Sequence, residues 1–216
     1  MRFLMFFTIF FATYNTALAE TLPGSDQQSY SRNVKLVSDT HSGDRYATVV
    51  GRVLIDGKIA APVVLFSDIP NLPDWIDNLS QVQEVEARTP IDRSLYMRFA
   101  APVGFEDRDG YIRFMASMAG PEIIHLTLED IPNDQRNSDT VRMKDVRGRF
   151  RVEQVLEDVL AVEFRLHYDS GARPVTLANL SVKRQVKQTL IQMRQHIEGP
   201  LRDAQVDSAI AQSLGL

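Results

Sequence analysis

No cysteine occurs among the 216 residues. Disulfides, thiolate metal sites and lipid attachment through a cysteine are therefore excluded. Tryptophan is almost absent too, with Trp75 alone, and no excess of one charge exists: 24 basic and 28 acidic residues leave a net charge of -4. That balance argues against nucleic acid or an anionic membrane surface as the main partner, leaving at most transient membrane contact. Lys183, Arg184, Lys187 and Arg194 do gather, but glutamines are interleaved and a solvated helix face is the expectation. His41, His125, His167 and His196 stand on separate elements, and Glu163 and His167, four apart on a strand, are separated by ~13 Å. No metal or cofactor site is expected. A Gly-x-Ser-x-Gly elbow, a phosphate-cradling loop and a dinucleotide fingerprint are all missing, so no catalytic residue is singled out.

What is present begins with an address. Arg2 precedes an apolar run from Phe3 to Ala12, and Ala17-Leu18-Ala19 supplies small residues for cleavage before Glu20. The run is too short for a span that needs ~20 helical residues, so residues 1–19 are expected to be a signal peptide and the protein periplasmic or secreted. Residues 20–29 are small and polar and are expected to form a flexible leader.

From Asn33 to Asp39 and from Arg45 to Asp56 apolar and polar residues roughly alternate around Ser42-Gly43-Asp44, which predicts a hairpin. The dense apolar stretch Ile59 to Asp68 and the segment Pro73 to Leu79 predict two short helices. Strand patterns then follow at short spacing: Val82 to Arg88, Arg93 to Ala100, Gly110 to Met118, Glu122 to Asp130, Val141 to Val155 and Val159 to Tyr168. In the last, Leu160, Val162, Phe164, Leu166 and Tyr168 share one face, opposite Glu163, Arg165 and His167. Ala178, Val182, Val186, Leu190, Met193 and Ile197 recur at helical spacing from Pro174 until Gly199-Pro200 stops the pattern. Residues 200–216 have weak helical patterning and read as a loose tail. The long helix must bury its stripe on the concave face of the sheet, which encloses a cavity. The fold class is α+β: a curved antiparallel sheet wrapped around a long C-terminal helix, with two short helices after the second strand.

Four marks in this order resemble the START family of the helix-grip (SRPBCC) superfamily. They are the helix pair ending in Asp74-Trp75, the stretch Pro102-Val103-Gly104-Phe105-Glu106-Asp107-Arg108-Asp109, the pattern Gly171-x-x-Pro174-x-x-Leu177-x-Asn179, and the terminal helix. The resemblance covers residues 30–199. It implies a lipid or other hydrophobic small molecule held between sheet and helix, and does not imply catalysis. Other helix-grip branches are cyclases, aromatases and hydrolases, so an enzyme acting on a hydrophobic substrate is the alternative. Some relatives place an acidic residue and an arginine in the tunnel, at the positions of Leu95 and Phe114 here, which implies an apolar cavity. Gly110 stands where the family has a bulky residue.

Strand and helix parity supplies the ligand-binding candidates: Leu95, Met97 and Phe99; Ile112, Phe114 and Ala116; Phe150; Val162, Phe164 and Leu166; and Val186, Leu190 and Met193. Any of them also suits ordinary core. Tyr96, Arg98 and Tyr111 take their place if parity slips by one. Arg108 and Asp109 could orient a ligand head group, but a surface turn with an exposed ion pair is the expectation, and Trp75 reads as a packing anchor for the helix pair.

Overall fold

The structure, a computed structural model, describes residues 30–41, 43–135 and 137–216. The proposed signal peptide and leader lie outside the described residues.

Nine strands form one sheet: β1 (Lys35–Asp39), β2 (Thr48–Asp56), β3 (Leu79–Thr89), β4 (Asp92–Phe99), β5 (Asp107–Gly120), β6 (Ile123–Asp130), β7 (Thr140–Arg142), β8 (Lys144–Leu156) and β9 (Val159–Asp169). Their order is β1-β2-β9-β8-β6-β5-β4-β3, antiparallel throughout this path, with β7 parallel to β5. The strand expected from Val141 to Val155 is therefore two. Asp145 at φ 55 and a register shift between Lys144 and Arg147 break the ladder there, so β7 pairs with β5 before β8 joins β9.

Between β2 and β3 come α1 (Ala60–Ser67), a 3-10 turn (Ile69–Asn71) and α2 (Leu72–Trp75). The second helix is shorter than expected because Ile76 is already extended and Asn78 at φ 61 turns the chain into β3. Trp75 is the anchor proposed for it: its ring centroid lies 5.9 Å from Phe66 and 5.8 Å from Phe150, which stacks at 3.8 Å on Phe164.

The terminal helix α3 (Val175–Glu198) presses its stripe onto the sheet. A Cβ added at Gly51 would stand 2.6 Å from Leu190 Cδ1 and 2.7 Å from Val186 Cγ1, so only glycine allows the helix this close to β2. The Asn179 side chain accepts from the Ala47 backbone N–H at 3.0 Å and ties the first turns of α3 to the start of β2. Residues 200–216 are not a loose tail: α4 (Ser208–Leu214) is capped by the Asp207 side chain, and Leu201, Val206, Ile210 and Leu214 pack on the core. No helix among the described residues is long and apolar enough to cross a membrane.

Candidate functional site

Strand parity holds across the sheet. Leu95, Met97, Ile112, Phe114, Phe150, Val162, Phe164 and Leu166 are all buried in one core with Val186, Leu190 and Met193 of α3. Tyr96 and Tyr111 instead meet on the opposite face, with centroids 5.3 Å apart, beside Arg98. The closed apolar chamber expected among these residues is largely filled. Met97, Phe99, Ile112, Phe150, Phe164 and Leu166 line a void of only ≈ 30 Å³, and Phe114 and Ala116 one of ≈ 10 Å³. These hold a water or two at most. The aromatic cluster of Phe66, Trp75, Phe150 and Phe164 and the descent of α3 onto Gly51 occupy the rest. Leu95, Val162, Val186, Leu190 and Met193 line neither void.

Among the described residues a polar hollow of ≈ 520 Å³ lies on the outer face beside Tyr96 and Tyr111, whereas the ligand-sized space at one end of the helix–sheet interface is a cleft of ≈ 460 Å³. Its floor is Phe99, Met143 and Tyr168; one wall is the loop after β4 with Ala100, Ala101, Pro102 and Phe105, and the other is α3 from Leu177 to Gln185. The rim is apolar and exposed: Phe105 is 54%, Leu177 51% and Leu180 61% accessible. Of the candidates read from the sequence, Phe99 alone reaches this cleft. Gly110 is also accounted for here, because Met143 Cε would lie 3.3 Å from a Cβ at that position and fills the space a bulky residue would take.

Phe99, Met143, Tyr168 and Gln185 border both the cleft and the ≈ 30 Å³ void and so form the neck between them. The neck is closed by hydrogen bonds. Tyr168 Oη donates to Gln185 Oε1 at 3.1 Å, Gln185 Nε2 donates to the Asp77 carbonyl at 3.5 Å, and the Asp77 backbone N–H donates to Thr189 Oγ1 at 3.1 Å. Burial pushes the Tyr168 phenol up to about 12, with Arg108 opposing. Burial likewise raises the Asp77 carboxyl, and Arg184 pulls it back down. Gln185 and Thr189 were missed in the stripe read from the sequence, although they repeat at the spacing of Val182 and Met193.

Arg108 and Asp109 do not form the exposed surface pair expected. Both lie in β5, where alternate residues face opposite ways. Arg108 lines the cleft, and its Nε donates to the Ser170 carbonyl at 2.9 Å. Asp109 is buried on the other face, where Arg142 donates to it twice, at 2.8 and 3.2 Å, and Asn137 once at 3.3 Å. Burial drives the Asp109 carboxyl upward, but the Arg142 bonds and charge outweigh it and hold the pKa below the usual range.

Among the described residues one group of metal-ligand type is assembled. Ligand atoms of Asp44, Asp145 and His167 fall within 4.8 Å of one another, although the sequence offered His167 no partner. Arg147 stands 3.1 Å from Asp145 and 3.7 Å from Asp44 and supplies positive charge there. His167, assigned to a wet face, is buried because this cluster and Thr48 cover it.

This architecture is the START-like helix-grip fold. A STAR-related lipid transfer protein from Xanthomonas axonopodis superposes with a TM-score of 0.69 at 22% identity, over 77% of this chain and 94% of that one. Human StAR-related lipid transfer protein 5 gives 0.66 at 11% identity, over 78% and 84%, and a START superfamily protein from Mycobacterium smegmatis 0.51 at 12%, over 70% and 97%. The sequence matches no family model and no curated protein.

Proposed function

We propose that this protein is a non-catalytic binder, carrier or sensor of a lipid or other hydrophobic small molecule, and that it acts outside the cytoplasm. The observation that carries the reading is the ≈ 460 Å³ cleft with its exposed apolar rim, set where the long helix meets the open end of the sheet. That volume falls within the ~300–1,000 Å³ typical of small-molecule sites. Solved structures of the same fold, described as lipid transfer proteins, support it. Location outside the cytoplasm is supported by the apolar run Phe3 to Ala12 and by Ala17-Leu18-Ala19.

The test is native mass spectrometry after incubation with a mixed lipid extract. A one-to-one lipid complex is expected for the wild type and not for Ser181→Trp, which places a large side chain in the cleft from an exposed position on α3. No complex with the wild type, or an equal yield from both, would overturn the proposal.

A further inference from the structure

We propose that the cleft selects an amphiphile with an anionic head group, a carboxylate or a phosphate, which Arg108, Arg173 and Arg184 receive while Phe99, Met143 and Leu180 hold the chain. The inference rests on the reading that a hydrophobic molecule enters the cleft, and it names the chemical class of that molecule.

Charge in the cleft is unbalanced. The three arginines come from β5, from the connection between β9 and α3, and from α3 itself, and all line the same cleft, whose lining includes no Asp or Glu. Elsewhere among the described residues of this net-negative chain most arginines are matched with acids, among them Arg52 with Glu163 at 2.5 Å, Arg98 with Asp107 at 2.8 Å, Arg113 with Asp92 at 2.7 Å and Arg142 with Asp109 at 2.8 Å, and those that are not, Arg45, Arg149, Arg165 and Arg202, are exposed. Among the described residues, no carboxylate stands within ion-pairing distance of Arg108, Arg173 or Arg184.

Arg108 is the most informative of them. It is half-buried, and its guanidinium is held by two neutral carbonyls, those of Ser170 and Glu106. Carbonyl oxygens orient a guanidinium without neutralising it, leaving N–H groups and a full charge for an incoming oxyanion. Arg184 acts on the Asp77 carboxyl electrostatically but forms no ion pair with it, and Asp77, at the turn into β3, is bonded by Asn78 at 2.8 Å. A polyanionic macromolecule fits less well, because Phe105, Leu177 and Leu180 expose apolar surface around the arginines. Head-group charge beside chain-sized apolar surface is the pattern of an amphiphile.

The experiment titrates dansyl-undecanoic acid and its methyl ester into the full chain and its variants by fluorescence. The acid is expected to bind the wild type at least about tenfold tighter than the ester. Arg108→Gln and Arg184→Gln should each remove most of that advantage without changing ester affinity, and about 0.5 M sodium chloride should shrink it. Arg184 is exposed, so its variant stays informative even where Arg108→Gln lowers stability. Hexadecyl phosphate and hexadecanoate as competitors separate the two head groups, and displacement by either supports the proposal. Equal affinity for acid and ester, or arginine variants that leave the acid unaffected, would overturn the head-group assignment alone. Failure of both probes to bind would overturn it together with the hydrophobic-ligand reading.

Discussion

Arg108 and Asp109 are consecutive in β5, yet they occupy opposite electrostatic worlds. Asp109 faces the outer side of the sheet, where Arg142 grips it and also donates to the backbone carbonyls of Asn133 and Gln135 while lying 4.9 Å over the Tyr111 ring. Every charge in that network has a partner inside the chain. Arg108 faces the cleft, where its partners are two carbonyls and its charge is unmatched. A saturated network serves folding, whereas unmatched charge beside apolar surface is what a recognition site keeps available.

The largest effect expected from this contrast is on stability. Asp109→Ala leaves the Arg142 guanidinium without its acid in a largely buried position and should cost ~3–5 kcal/mol in urea unfolding. A loss under ~1 kcal/mol would show that the network is not structural. Next comes the cleft: Ser181→Trp should weaken binding of a neutral fluorescent sterol by about tenfold, ~1.4 kcal/mol, with the unfolding midpoint unchanged. An unaltered affinity would place the ligand elsewhere.

Asp109 and Asp77, which lies beside the neck of the cleft, should also give opposite pH slopes. Asp109 titrates below its unfolded value, so its contribution is present above pH ~4 and is lost as pH falls further. Asp77 titrates above its unfolded value, so its contribution is full below pH ~4 and fades as pH rises through its raised pKa. Asp77→Asn should therefore remove a decline in stability between pH 4 and 7, read from unfolding midpoints at about four pH values; an unchanged decline would assign it to other groups. The smallest effect is that of Arg108→Gln on stability, under ~1 kcal/mol, because no ion pair is broken.

Much of the scaffold was legible because it is periodic. Alternation placed Leu95, Met97 and Ile112 on the inner face and kept Tyr96 and Tyr111 off it, and the i, i+4 stripe placed Val182, Val186 and Leu190 against the sheet. The cleft was not legible for the opposite reason. Its walls come from the loop through Pro102 and Phe105 and from Ser170, Ala172 and Arg173, segments with no period to read. Parity alone also made the interior look like a chamber, since it counts apolar residues on a face without showing that Trp75 and Phe150 fill the space between them. Arg108 and Asp109 were misread because a Gly104-containing loop runs straight into β5, so the strand starts earlier, at Asp107, than the pattern from Gly110 indicates. The signal that could have found the cleft is modest: Phe105 beside Gly104 in a loop, and Leu177 and Leu180 off the helix stripe, are apolar residues with no core to enter.

The most direct test is to add a nitroxide-labelled stearate and record backbone amide NMR spectra of the full chain. The account predicts selective broadening at residues 99–105, 168–173 and 177–185, around the cleft and its neck. Broadening centred on Tyr96, Tyr111 and Asn137 of the opposite face, or none at saturating ligand, would contradict it.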